Sequence, residues 1–174
     1  DVSANAGNKP YNIENVSPDA HLAPSVGDSS SKTSSKAWHK IDGVCYNGSG
    51  KKVEGAITRG MDVSEWQGKI NWKEAKKDLD FAFVRISYGT RHLDDYYAYN
   101  MTEAEAADVP VGTYVYSLAK TNKEALAEAQ LAIRQMQGHK VSYPVAFDLE
   151  DEATLGTLTR KEISQIALTF CDEI

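Results

Sequence analysis

The chain has 174 residues, of which 41% are hydrophobic and 25% are charged, a composition typical of a soluble globular protein. Its 19 basic and 25 acidic residues give a net charge of −6, so it lacks the basic excess that a nucleic-acid partner would require. No apolar run approaches the roughly 18–20 residues of a transmembrane helix, which argues against membrane insertion, and two cysteines cannot form a disulfide framework or a four-cysteine zinc site.

The first third of the chain divides into two segments. Residues 1–36 are mostly Asp, Asn, Ser, Gly, Pro and Thr, and such a segment buries too little apolar surface to offset its ordering entropy. We therefore expect a disordered tail or flexible linker there. In residues 37–59, the pairs Asn47-Gly48 and Ser49-Gly50 are turn signals between two strand-like runs, and they predict a short hairpin.

The predicted hairpin has two interpretations. It is similar to one degenerate copy of a cell-wall-binding repeat through Trp38, Ile41-Asp42-Gly43, Tyr46, Gly50 and Gly55. A repeat buries its core against its neighbours, so one copy would not stand alone. The simpler interpretation, which we favour, is a linker hairpin packed on the domain that follows.

From Gly60 onward, predicted strands alternate with predicted helices. The predicted strands cover residues 61–64, 81–87, 110–117 and 143–149. The first two predicted helices cover residues 71–79 and 95–107. Thr121 and Glu124 cap a third helix, which Gly138 closes, and Thr159 and Glu162 cap a fourth. This alternation predicts an α/β fold with a parallel sheet, either doubly wound or half of a βα barrel. A complete barrel needs roughly 200–250 residues, so we expect the 60–174 segment to be part of a larger catalytic domain.

The sharpest functional signal lies in the fourth predicted strand. Alternation places the side chains of Asp148 and Glu150 on one face of that strand, at its carboxyl end, where sites lie in parallel α/β folds. Asp62 lies near the carboxyl end of the first strand. The competing interpretation is that all three acids are solvated loop or capping residues.

Three acids that meet at one sheet edge suit two kinds of chemistry. They could bind a divalent metal ion, or they could provide the acid and the stabilising carboxylate of glycoside hydrolysis. Tyr88, Tyr114 and Tyr116, with Trp66, lie at or near strand ends, where aromatic side chains could line a sugar groove. Ordinary strand packing is the alternative for each tyrosine.

Other catalytic layouts have little support. The sequence contains neither an HExxH zinc motif nor a GxSxG nucleophile elbow. Cys171 lies beside the apolar stripe of the last helix and is more typical of an inert thiol than of a nucleophile. Whether Cys45 and Cys171 pair cannot be decided from the sequence, because the distance between them is unknown.

Several segments in order resemble the family 25 glycoside hydrolases, the Chalaropsis-type lysozymes, over residues 60–174. The matching segments are Gly60-Met-Asp62-Val-Ser-Glu-Trp66-Gln-Gly68, Ile70-Asn-Trp72, Phe81 to Gly89, Asp95 to Asn100, Pro110 to Tyr116 and Tyr143 to Glu150. The resemblance implies an irregular TIM-like (β/α) barrel, here truncated after about four βα units.

The resemblance also implies a function. The expected enzyme is a secreted or cell-wall-associated muramidase that cleaves the β-1,4 bond between N-acetylmuramic acid and N-acetylglucosamine in peptidoglycan glycan strands. Glu150 matches the general acid, and Asp148 and Asp62 match its acidic partners. No cofactor or metal is expected, and the full-length protein is expected to be a monomer. The alternatives are a catalytically idle cell-wall-binding protein and a metal-dependent hydrolase.

Overall fold

The computed structural model describes residues 38–174 of the chain, and the expected tail over residues 1–36 lies outside this part. The strands are β1 His39–Ile41, β2 Val44–Tyr46, β3 Gly60–Val63, β4 Phe81–Tyr88, β5 His92–Leu93, β6 Val111–Tyr116 and β7 Val141–Asp148. The helices are α1 Trp72–Ala75, α2 Tyr97–Ala106, α3 Asn122–Met136, α4 Glu152–Leu155 and α5 Arg160–Glu173. A 3₁₀ turn over Glu65–Gln67 follows β3.

The predicted hairpin exists, but its turn is elsewhere. Strands β1 and β2 pair antiparallel around Asp42-Gly43, where both residues have positive φ. The predicted turn at residues 47–50 leads only to an isolated bridge between Tyr46 and Lys52. The hairpin contacts the following segment through Lys40, whose Nζ lies 3.0 Å from Oδ2 of Asp80.

The main sheet confirms the α/β prediction. Its strand order is β3-β4-β6-β7, all parallel, with β5 antiparallel to β4. The order follows the chain without reversal, as in successive strands of a barrel and unlike the two halves of a doubly wound sheet. Each of β3 and β7 pairs with one strand of the described part of the chain. Barrel closure and truncation stay predictions.

The structure adds elements that the sequence patterns did not predict. Strand β5 and helix α4 lie in segments without a recognised pattern, and α1 ends four residues earlier than the predicted helix 71–79. After α1 the chain continues in turns, where Arg59 forms an ion pair with Asp78 and donates to its backbone carbonyl at 3.1 Å. Both cysteines are free thiols. Cys45 is buried, whereas Cys171 is exposed.

The hydrophobic core lies between the sheet and its helices. Val84 and Ile86 of β4 and Val115 of β6 are fully buried in it, and under β7 the ring of Phe147 stacks on Phe170 of α5 with centroids 4.0 Å apart. Strand alternation sends the other side chains of β3, β4, β6 and β7 to the opposite side, which we call the open face. Its members include Asp62, Phe83, Arg85, Tyr114, Tyr116 and Asp148.

The buried face of helix α3 differs from the face that its large apolar residues predict. The helical spacing of Leu126, Ala129, Ile133 and Met136 predicts one apolar face, whereas the buried residues are Ala125, Glu128, Ala129 and Ala132. Small side chains let the helix lie close to the sheet. Glu128 is accommodated because its carboxylate accepts hydrogen bonds from the Ser117 hydroxyl at 2.7 Å and the Leu118 N–H at 3.1 Å.

An aromatic cluster fills the amino-terminal half of the open face. Tyr143 stacks on Phe81 with centroids 4.8 Å apart, and Phe83 meets both rings edge-on at 6.0 and 6.2 Å. Gly112, in register with Phe83, leaves the space for this cluster. A Cβ at position 112 would lie 2.6 Å from Cε1 of Phe83 and 2.8 Å from the carbonyl oxygen of Pro144.

We predict that Gly112→Ala lowers the free energy of unfolding by about 1–3 kcal/mol, the usual cost of overpacking. The added methyl group would collide with backbone as well as with a ring, so rotation of a side chain cannot relieve the contact. Urea unfolding followed by far-UV circular dichroism measures this change. The exposed Ser142→Ala in β7 is the control, and equal midpoints for the two variants would contradict the packing argument.

Candidate active site

The three predicted acids lie near or just after the carboxyl ends of their own strands, but they are held in different ways. Asp62 is exposed within β3, and Asp148 is the half-buried last residue of β7. Strand β7 ends before Glu150, so Glu150 is an exposed residue of the following loop and its direction is not set by strand alternation. Asp151 then caps α4 by accepting the Thr154 N–H at 2.8 Å, which confines Glu150 between a strand end and a helix cap.

Electrostatics connects the three carboxylates. Partial burial, followed by the negative charges of Glu150 and Asp62, raises the pKa of Asp148 to about 6, against the opposing charge of Arg85. Since both other acids contribute to this pKa, the fold has brought together residues that are 86 and 88 positions apart in the chain. Asp148 therefore changes protonation just below neutral pH.

Two of the predicted tyrosines form a stacked pair beside Asp148. The rings of Tyr88 and Tyr116 lie 4.8 Å apart with an interplanar angle of 19°. Register pairs Tyr88 with Tyr116 and Tyr116 with Asp148, so the three residues form one row across the sheet. Burial, followed by the charges of Glu150 and Asp151, raises the pKa of the Tyr116 hydroxyl, which stays protonated and able to donate a hydrogen bond.

Tyr114 lies one row deeper on the same face. It is in register with Arg85 on one side and Ala146 on the other, two residues before Tyr116 along β6. Burial and then the charge of Asp62 raise the pKa of its hydroxyl. Tyr114 therefore belongs to the floor beneath the acids, whereas Tyr88 and Tyr116 belong to the rim.

A buried arginine beneath the site was missed by the sequence analysis. The side chain of Arg85 is 6% exposed, and its Nε donates to Oδ2 of Asp94 at 2.9 Å. Its Nη2 lies 3.0 Å from Oε1 of Glu65, out of line for a hydrogen bond. The signal was present in the sequence, because a charged residue inside the apolar run of β4 must find a buried partner.

The two acids that hold Arg85 also organise the loops around it. Oδ2 of Asp94 accepts the Glu65 N–H at 2.7 Å, and Oδ1 accepts the Tyr96 N–H at 3.0 Å. Burial nevertheless raises the pKa of Asp94. Burial also acts to raise the pKa of Glu65, but its hydrogen bond with His92 and the charge of Arg85 hold that pKa below its usual value.

One group in the described part of the chain has the residue types of a metal site. Ligand atoms of Glu65, His92 and Asp95 lie within 4.8 Å of one another. The contacts already present account for this grouping, since Nε2 of His92 lies 2.7 Å from Oε2 of Glu65 and the other oxygen of Glu65 faces Arg85. The group lies beside the three predicted acids and includes none of them.

Comparison with known proteins identifies the family. The profile of the glycosyl hydrolases family 25 matches residues 61–174, about two thirds of the chain. This chain belongs to family 25 of the glycosyl hydrolases. The family 25 chain is also similar in sequence to Lysozyme M1 of Streptomyces globisporus, with 38% identity over 60 residues that cover 34% of this chain and 20% of that protein.

Solved structures share the fold of this family 25 chain. The modular autolysin LytC from Streptococcus pneumoniae, solved in complex with a synthetic peptidoglycan ligand, aligns with a TM-score of 0.65 and 25% identity, covering 78% of this chain and 34% of that one. A bacterial lysozyme from Streptomyces coelicolor aligns with a TM-score of 0.57 and 22% identity over 69% and 58% of the two chains. The chain thus spans a fifth of Lysozyme M1 and a third of the LytC chain.

The raised pKa of Asp148 leads to a prediction about stability. The folded protein binds a proton at Asp148 up to about pH 6, whereas an unfolded aspartate releases it near pH 3.8, so ionisation of Asp148 lowers stability progressively as pH rises from about 4 to 6. We predict that Asp148→Asn raises the melting temperature at pH 8 and has little effect at pH 4.

The exposed Asp172→Asn in α5 removes the same charge far from the cluster and is the matched control. Thermal melts of the three proteins at pH 4 and pH 8 compare the two sites. A lower melting temperature for Asp148→Asn at pH 8 would show that the carboxylate is stabilised in the folded protein, contrary to the electrostatic argument.

Proposed function

We propose that this protein is a peptidoglycan hydrolase that cleaves the glycan strands of bacterial cell walls. The observation that carries the proposal is that the charges of Asp62 and Glu150 act on Asp148, which lies in one row with the stacked Tyr88–Tyr116 pair. Placing like charges together in a partly dry site costs folding free energy, and such arrangements occur where chemistry requires them. Membership of family 25 and the similarity to Lysozyme M1 support the same conclusion.

The bond we propose is the β-1,4 linkage between N-acetylmuramic acid and N-acetylglucosamine. Glu150 is the proposed general acid, because it is exposed in the loop after β7 and its charge acts on the neighbouring Asp148. Its proton would pass to that oxygen as the bond to the anomeric carbon breaks. The negative charges of Asp148 and Asp62 would stabilise the positive charge that develops on the sugar ring.

We further propose that the 2-acetamido group of muramic acid is the nucleophile. N-acetylmuramic acid carries this group beside its anomeric carbon, so the route needs no nucleophile from the protein and no fixed strand spacing between Asp148 and Glu150. In this substrate-assisted route the acetamido oxygen bonds to the anomeric carbon, and Asp148 orients the acetamido N–H. Water then opens the ring so formed and returns a proton to Glu150, so the anomeric configuration is retained.

The proposed substrate sets the expected location. Peptidoglycan lies outside the cytoplasmic membrane, so we propose that the protein acts as a secreted or cell-wall-associated enzyme. No helix in residues 38–174 is long and apolar enough to cross a membrane. We propose that the full-length enzyme binds peptidoglycan glycan strands as a monomer and needs no metal, so a chelator should leave the rate of lysis unchanged.

We predict that Glu150→Gln in the full-length protein lowers the turnover number by a factor of about 10² to 10⁴, the usual contribution of a positioned acid. Glutamine keeps the shape of the side chain and removes the proton. The rate of turbidity loss of purified cell walls measures the effect. Glu152→Gln, an exposed neighbour in α4, is the control and should lyse walls at the wild-type rate. Normal lysis by Glu150→Gln would assign the acid to another residue, with Asp62 as the next choice.

The identity of the new reducing end tests the proposed bond. Cleavage on the reducing side of muramic acid leaves N-acetylmuramic acid at each new chain end. We predict that borohydride reduction of the digest, followed by acid hydrolysis, yields muramicitol as the new sugar alcohol. Glucosaminitol instead would mean that the enzyme cuts the other β-1,4 linkage of the strand.

A further inference from the structure

Trp66 is an exposed tryptophan on a loop that borders the three acids. It lies in the 3₁₀ turn that follows β3, four residues after Asp62, and 48% of its surface is exposed. Trp72, a few residues later, is 2% exposed, and its Nε1 donates to Oδ1 of Asn100 at 3.1 Å. About half of the Trp66 indole is therefore available to a ligand, and burying apolar surface contributes about 25 cal/mol per Å².

The turn that carries Trp66 is closed at both ends. Ser64 and Gln67 form a capping box, in which the Ser64 N–H donates to Oε1 of Gln67 at 2.8 Å and the Ser64 hydroxyl accepts from the Trp66 N–H. Gly68 ends the turn by donating its N–H to the carbonyl of Glu65 at 3.0 Å. The backbone on either side of Trp66 is therefore fixed before any ligand arrives.

Glu65 attaches the same turn to the carboxyl end of β4. Its N–H donates to the buried carboxylate of Asp94, and its own carboxylate contacts Arg85 and His92 at 3.0 and 2.7 Å. Arg85 lies three residues before Tyr88 in the chain. The anchored turn thus presents Trp66 at the same side of the sheet as the stacked tyrosines.

We propose that Trp66 is a binding platform for a sugar ring of the glycan strand, next to the ring whose bond is cleaved. This inference rests on the proposed function and adds a binding residue to it. The apolar C–H face of a pyranose packs well on an exposed indole. Because the turn is already rigid, binding pays little ordering entropy at Trp66, and the burial of the indole contributes directly to affinity.

Tryptophan fluorescence tests the platform, because Trp38 and Trp72, the other two tryptophans of this sequence, serve as internal references. The probe is peptide-free glycan chains prepared from peptidoglycan by amidase digestion, added to the full-length Glu150→Gln protein so that the chains stay intact. We expect a saturable change in emission that persists in Trp38→Phe, since Trp38 is an exposed residue just before the hairpin strand β1, and that disappears in Trp66→Phe.

Affinity gives the second measurement. We expect Trp66→Ala to weaken calorimetric binding of the chains about 10-fold, which corresponds to about 1.4 kcal/mol, and Trp66→Phe to recover part of that loss because it keeps an aromatic face. The melting temperature should not change, because the indole is not part of the core. Unchanged affinity in Trp66→Ala, or an emission change that survives in Trp66→Phe, would overturn the platform.

The wild-type protein separates this inference from the proposed function. If it lyses walls and Trp66→Ala does so with an unchanged KM, the platform is wrong and the hydrolase assignment stands. If the chains bind at Trp66 but wild-type protein releases no reducing ends, the binding residue stands and the hydrolase assignment fails. If neither binding nor cleavage occurs, both fail.

Discussion

The charge of one buried arginine underlies the candidate site. Arg85 lies on the open face of β4 and is held by Asp94 and Glu65, which themselves fix the loops after β4 and β3. Its positive charge is also the one that opposes the raised pKa of Asp148. Removing Arg85 would leave Asp94 and Glu65 without their buried cation, beside a cluster that is already negative, so the loops and the carboxylates depend on the same guanidinium.

The two sides of the sheet carry different kinds of side chain. On the helical side, Val84, Ile86 and Val115 are fully buried, and Phe147 stacks on Phe170. The open face instead carries an aromatic cluster at its amino-terminal half and titratable groups at its carboxyl side. Strand alternation permits this division, because neighbouring residues of one strand serve opposite faces. Packing on the helical side of the sheet thus offsets the free-energy cost of the repulsion among the acids.

Local patterns predicted most of the regular structure. The capping box of Thr159 and Glu162 forms as expected at the start of α5, and all four parallel strands begin and end within two residues of their predicted bounds. The buried face of α3 could not be predicted in this way. Glu128 faces the core because Ser117 and Leu118, which follow β6, satisfy its carboxylate, and hydrophobicity alone gives no sign of that contact.

For the candidate site, the sequence by itself determined which residue types stand at the strand ends. The spacing of Asp148 and Glu150, the position of Asp62 and the tyrosines of β4 and β6 were readable there, and their catalytic and binding roles stay predictions. Tertiary structure alone decided that β7 ends at Asp148, that Tyr88 stacks on Tyr116, and that Arg85 finds Asp94 and Glu65. The reason is physical: caps and alternation arise from residues a few positions apart, whereas ion pairs, stacking and pKa shifts depend on which distant segments the sheet brings together.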